Sequence, residues 1–249
     1  MTNVGDMCDV GALGDTDYAR NIAANIGSYL RDLGFNVDFA PDADIANNPA
    51  SDTMALRSFG SSAAAVSPMV KAQVEGFLSS DMLCAAKHFP GIGGAEGDSH
   101  DTSIYSSKTV DEMAQDELLP FQAAMDADVP FIMVGHLSTL QATGNDLPAS
   151  MSSAIVTDLL RGRLGYDGIV ITDSLAMGAV NERYAPSEPA VAALEAGVDM
   201  VLMPADLASA YQGVLDAVAS GRLSEERIDD SLERIVRTKL AWEDGSLGA

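Results

Sequence analysis

Two clusters of ionisable side chains flank a glycine-rich turn, Lys87-His88-Phe89-Pro90-Gly91 and then Asp98-Ser99-His100. A lone carboxylate, Asp173, ends the apolar run Ile169-Val170-Ile171-Thr172, and a histidine, His136, ends Phe131-Ile132-Met133-Val134-Gly135. Charge and imidazole thus collect where apolar runs stop. A lysine at the end of a buried strand needs a polar destination, and a substrate pocket supplies one. A carboxylate at such a position serves either as a nucleophile or as a cap for the next helix. An imidazole with a carboxylate two positions earlier, as in Asp98 and His100, is either an acid/base pair or a surface-loop histidine beside an aspartate. The carboxylate favours the protonated ring, whose unperturbed pKa is about 6.5. His136 is as readily a packed histidine as a pocket residue. A metal site built from His88, His100, His136, Asp98 and Asp173 is the competing reading. It is disfavoured by the lack of a His-x-His or His-Glu-x-x-His pattern and by the positive charge of Lys87. The glycines of 91–94 lack the Gly-x-x-x-x-Gly-Lys-Ser/Thr spacing of a nucleotide phosphate loop.

The elements that must position these residues can be read from periodicity. The run Met82-Leu83-Cys84-Ala85-Ala86 suits a strand covered on both faces, and Pro90, Gly91, Gly93 and Gly94 stop it. Further strands are expected near 36–40, 131–135, 168–172 and 199–203. Between them a helix over 19–33 stops at Gly34. Thr109 and Glu112 predict a capping box for a helix running to Asp126, kinked at Pro120. Another helix covers 150–164 and ends at Gly165. Ser224 opens a last helix, on which Ile228, Leu232, Ile235 and Val236 share one face. Short apolar runs alternating with amphipathic stretches predict an α/β fold of βα units around a parallel sheet.

These residues, taken together, resemble glycoside hydrolase family 3, and specifically its β-N-acetylglucosaminidase branch. The likeness rests on Lys87-His88-Phe89-Pro90-Gly91 with Asp98-Ser99-His100, and on Ile171-Thr172-Asp173-Ser174-Leu175 with Met177. Upstream, Asn36-Val37-Asp38-Phe39-Ala40-Pro41 with Asp44, and Arg57-Ser58-Phe59-Gly60, match in the same order. The resemblance runs from about Gly11 to the C-terminus. It implies a TIM-barrel-type (β/α) domain and a retaining exo-β-N-acetylglucosaminidase working through a covalent glycosyl-aspartate. A retaining glycosidase needs a nucleophile on one face of the sugar and a proton donor near the leaving oxygen. The resemblance gives the first role to Asp173 and the second to His100, oriented by Asp98. It gives substrate contacts to Lys87, His88 and Arg57, with Asp44, His136 and Met177 close to the pocket. On pattern alone Met177 would be ordinary packing, and Arg57 could instead pair with Asp44 for structure alone. No cofactor is implied. A histidine acid/base would not repel an incoming phosphate, so a glycoside phosphorylase stands beside the hydrolase, as does a non-catalytic sugar binder.

Two departures qualify the likeness. The family commonly has His after Pro-Gly, where this chain has Ile92. The family also carries an Asp-x-Glu-Gly-Gly motif and an Arg on its opening strands, and this sequence contains no such motif. About five βα units can be read here, against the full (β/α)₈ barrel. The chain is therefore expected to be one domain lacking the barrel's first strands, with an open sheet edge near 36–40. That edge would be covered by residues 1–15 or by another copy of the chain in a homo-oligomer.

Composition bounds the partners. A chain of 249 residues with 47% hydrophobic content can bury a sizeable core. A formal net charge of -23 argues against nucleic acid and anionic membrane surfaces, which both need a basic footprint. No segment has the length and apolarity of a membrane span, and the N-terminus lacks the basic and apolar regions of a signal peptide, which leaves cytoplasmic and secreted locations both open. Cys8 and Cys84 are too few for a disulfide framework.

Overall fold

A computed structural model describes residues 3–49, 51 and 53–247. The strands are β1 (Val37–Asp38), β2 (Leu83–Phe89), β3 (Ile104–Tyr105), β4 (Phe131–Val134), β5 (Leu137–Ser138) and β6 (Ile169–Thr172). β1, β2, β4 and β6 form one parallel sheet in that order, and β3 pairs with β5 in a small parallel ladder. The expected strand at 199–203 is reduced to one parallel bridge, Ile171 with Met200. Asp199 accounts for the interruption. Its carboxylate accepts from the backbone of Val170 and from Ser231 and pairs with Arg161 and Arg234, so side-chain bonds replace ladder bonds.

Alternate residues of each strand feed separate cores, as the period of two requires. Cys84, Ala86, Ile132, Val134 and Val170 face the helices of one layer: α2 (Thr16–Asp32), α3 (Ala63–Ser79), α5 (Leu119–Met125) and α8 (Glu188–Ala196). A wide-turned π-helix, Ala154–Arg163, completes that layer, in place of the single helix expected over 150–164. Leu83, Ala85, Phe131, Met133, Ile169 and Ile171 form the opposite face, covered by Val37, Phe39, Met200 and Leu202 and by the C-terminal helix α10 (Glu225–Glu243). The remaining helices are α1 (Met7–Leu13), α4 (Val110–Met113), α6 (Leu140–Thr143), α7 (Gly178–Asn181) and α9 (Leu207–Ala219), with a short 3-10 turn at Ala149–Met151.

Three further expectations change. The capping box forms, with Thr109 Oγ1 accepting from Glu112 N and Glu112 Oε2 accepting from Thr109 N. The helix it starts ends at Met113, however, and a separate α5 begins beside Pro120, which has no N–H to continue the ladder. On α10, Leu232 and Val236 are about half exposed, while Ser231, Ile235, Thr238 and Trp242 face the sheet. The buried stripe is thus partly polar, because Ser231 satisfies Asp199 and Arg227. Finally, α1 docks on the 56–59 turn rather than along β1: Met7 N donates to Leu56 O. A Cβ on Gly11 would lie 1.8 Å from Phe59 O, so only glycine permits that approach. Among the described residues β1 pairs on one side only, with β2.

Candidate active site

The site begins with an irregularity in β2. Ala85 and Ala86 pair with Phe131 and Ile132, but Phe89 pairs with Val134, so β2 carries one extra residue between the two registers. A bulge of this kind re-aims side chains. Here it sends Phe89 into the helix-side core, edge-on to Phe121 with ring centroids 5.2 Å apart. Lys87 and His88 are thereby released to the strand's carboxyl end. The Lys87–His88 peptide is cis, as are Ala40–Pro41 and Phe89–Pro90.

His88 is held by Asp44, from the segment after β1. Its ring Nδ1 donates to Asp44 Oδ2 at 2.7 Å and its backbone N to the same oxygen at 3.1 Å. Ile92 N donates to Asp44 Oδ1 at 2.6 Å. Asp44 is fully buried, so these bonds occupy the carboxylate and no face of it remains for a substrate. Burial works to raise its carboxyl, but the His88 ring and these hydrogen bonds outweigh it and hold it below the usual carboxylate range. The Ile92 side chain, standing where the family commonly has His, fills a small core with Met54, Ala95, Ile104 and Leu137 beneath the loop.

The other ring nitrogen faces the pocket. His88 Nε2 lies 3.3 Å from Arg57 Nη2 and 3.7 Å from Asp173 Oδ2. With Nδ1–H donating to Asp44, Nε2 is the acceptor for Arg57. Arg57 does not pair with Asp44; its salt-bridge partner is Asp42 Oδ2 at 3.3 Å. Lys87 is half-buried and forms no salt bridge among the described residues. Burial draws its ammonium below its usual range, against the pull of Asp42 and Asp173.

Asp173 follows β6, with its backbone N donating to Val134 O and its Oδ1 accepting from Ser174 N at 2.7 Å. It caps no helix, because α7 starts only at Gly178 behind Met177. His136 sits beneath this turn and is almost wholly buried. Its Nε2 donates to Ser174 O at 2.9 Å, and Ser150 Oγ donates to Nδ1 at 2.8 Å. Both nitrogens are committed, so His136 braces the Asp173 turn rather than opening into the pocket. Burial lowers its pKa, which suits the neutral ring this bonding requires. Met177 is likewise buried.

Asp98 and His100 sit on a more exposed loop, where Arg57 is near enough to act on the Asp98 carboxylate. His100 Nδ1 and backbone N both donate to Asp98 Oδ1, at 2.6 and 2.9 Å. Burial tends to raise the Asp98 carboxyl, but the bonds to His100 win and keep it below its ordinary range. The His100 side chain is 61% exposed, which leaves Nε2 free to meet an incoming group. The loop is anchored to the chain just beyond Asp173: Gly178 N donates to His100 O and Ala179 N to Ser99 O. A Cβ on Gly178 would lie 2.3 Å from Asp101 O. That glycine, together with Asp42 and Ser150, escaped the sequence reading; Gly178 directly after the Asp173–Met177 stretch was the one local signal available.

Among the described residues, the one His/Cys/Asp/Glu trio with ligand atoms within 4.8 Å of one another is Asp42, Asp44 and His88. Asp44 and His88 Nδ1 are spent on each other, and a guanidinium faces Asp42, so the donor set is a poor match for a metal.

Comparison with known proteins fits this geometry. Residues 1–238 match the model of the glycosyl hydrolase family 3 N terminal domain. The chain belongs to glycosyl hydrolase family 3. Beta-hexosaminidase A of Pseudoalteromonas piscicida is 34% identical over 252 residues, covering 92% of this chain and 42% of that protein. Beta-hexosaminidase LpqI of Mycobacterium tuberculosis is 33% identical over 228 residues, covering 88% and 58%. A solved family 3 β-N-acetylglucosaminidase from Paenibacillus sp. str. FPU-7 superposes with a TM-score of 0.93 at 38% identity, over 100% of this chain and 48% of that one. The chain spans about half the length of these curated relatives. Its sheet and helices are those of the family's TIM-barrel-type domain, seen here as part of a barrel.

Proposed function

We propose that this chain carries the reaction centre of a retaining exo-β-N-acetylglucosaminidase acting on terminal β-linked N-acetylglucosamine, as found on cell-wall muropeptides or chitooligosaccharides. The observation that supports this best is the anchoring of the Asp98–His100 loop to the residues just after Asp173, which ties an acid/base to a nucleophile. Asp173 attacks the anomeric carbon while His100 Nε2–H protonates the departing oxygen, giving a glycosyl ester. His100 then takes a proton from water, which displaces Asp173. Asp98 keeps the imidazole oriented through Nδ1. Lys87, with no salt bridge among the described residues, and Arg57 bind sugar hydroxyls beside His88. Asp44 and His136 act through others, one holding His88 and the other the Asp173 turn.

The test is a 2-fluoro or 5-fluoro glycoside that traps the ester, followed by peptide mapping. The label belongs on Asp173, and Asp173→Asn should abolish both labelling and turnover with the fold intact. His100→Ala should slow substrates with poor leaving groups far more than activated aryl glycosides. A label on another carboxylate would sink the nucleophile assignment, and equal losses on both substrates would sink the acid/base assignment.

A further inference from the structure

One buried carboxylate has no part in the chemistry above. The Asp42 side chain is 7% exposed; its Oδ1 accepts from Asp44 N at 3.1 Å, and its Oδ2 has no hydrogen-bond partner among the described residues. That bare oxygen faces Arg57 Nη2 at 3.3 Å, and the same nitrogen lies 3.3 Å from His88 Nε2. One guanidinium nitrogen is shared between a carboxylate on one side and, on the other, the imidazole that looks toward Asp173. A cavity of about 300 Å³, lined by Asp42, Arg57, Lys87 and Gln73, gives the guanidinium room to move.

The titratable and charged groups around Asp42 and Arg57 come from several segments. Asp44 belongs to Asp42's own, Lys87 and His88 to β2, Arg57 to the 56–59 turn and Asp98, on which Arg57 acts, to the 98–100 loop, while Asp6 before α1 and Asp38 in β1 border the cavity. Asp173 acts on the same cluster through Lys87 and His88. Ionising Asp42 puts a second buried negative charge beside Asp44. Burial, and then the neighbouring Asp44, push the Asp42 carboxyl up to about 7, against the opposing pull of the Arg57 guanidinium.

We propose that Asp42 is a positioning residue that sets Arg57 according to pH: neutral, it leaves the guanidinium on His88 at the pocket, and ionised, it draws the guanidinium back from His88. A buried carboxylate attracts the partly exposed guanidinium more strongly than a neutral ring nitrogen does. The sugar-affinity arm of the test rests on the proposed function, and the spectroscopic arm does not.

The guanidinium does not titrate near neutral pH, so its ¹⁵N resonances report its contacts alone. In the full chain the Arg57 guanidinium resonances should shift with an inflection near neutral pH, and Asp42→Asn, which keeps the shape but cannot ionise, should remove it. The affinity for N-acetylglucosamine, measured by calorimetry, should fall about tenfold between about pH 5.5 and about pH 8.5, the worth of one charge-assisted hydrogen bond. In Asp42→Asn it should stay level. An absent inflection, or one that survives in the variant, overturns the proposal, as does an affinity that is flat or rises with pH in the wild type. If no sugar binds at any pH while the inflection behaves as described, the pocket reading fails and the movement of Arg57 stands. Should the Asn variant not fold, the ¹³C carboxyl titration of the wild type decides the matter. An Asp42 resonance titrating near the ordinary value of about 3.9 would refute it.

Discussion

Replacing Asp44 tests whether the site is built from the inside, as its hydrogen bonds imply. Asp44→Ala strands three donors in a dry interior: His88 Nδ1–H, His88 N–H and Ile92 N–H. An unsatisfied buried donor costs about 1–3 kcal/mol, and neighbouring losses add imperfectly, so we expect a total of about 4 kcal/mol. Asp44→Asn should cost about half as much. Its oxygen can still serve Ile92, while its NH₂ can donate to His88 Nδ1 only if the ring proton moves to Nε2. That tautomer sets Nε2–H against Arg57 Nη2–H, so the Arg57 contact should also be lost. Urea unfolding at neutral pH measures the effect as a shift in midpoint with unchanged slope. The pH dependence has a definite sign. Asp44 titrates below its ordinary range in the folded chain, so its contribution is present above the unfolded value of about 3.9 and is lost as pH falls through the lower folded one. The gap between wild type and Asp44→Asn should therefore narrow in acid. An alanine variant within about 1 kcal/mol of wild type would refute the reasoning.

Gly178→Ala places a methyl 2.3 Å from Asp101 O and should push away the loop carrying Asp98 and His100. Turnover of substrates with poor leaving groups should then fall while the melting temperature barely moves, and undiminished turnover on such substrates would show that the anchor is dispensable. On α10, Leu232→Lys should change stability by no more than about 0.5 kcal/mol, whereas Ile235→Ala should cost about 2 kcal/mol. The reverse ranking in denaturant midpoints would mean that the helix is rotated relative to this structure.

Local chemistry made much of this protein legible. Strands β2, β4 and β6 announce themselves because apolar runs buried on both faces have few alternative conformations, and Gly or Pro residues mark the turn after β2. The Thr109–Glu112 box is a bond pattern within a few residues, and it forms even though the helix behind it stops early. Asp98 and His100 pair because two positions separate them. The tertiary structure decided everything that depends on which segments meet. Asp44 finds His88 across 44 positions, Arg57 chooses Asp42 over Asp44, and His136 turns to Ser150 and Ser174. The apolar stripe on α10 misled for the same reason. Periodicity reports which side chains could be buried together, but Asp199 at the sheet's edge required Ser231 and Arg234, and that demand set the face of the helix that turns inward. A sequence shows what each residue can do; the packing of βα units fixes which of the possible partners lies within about 3 Å, where hydrogen bonds form.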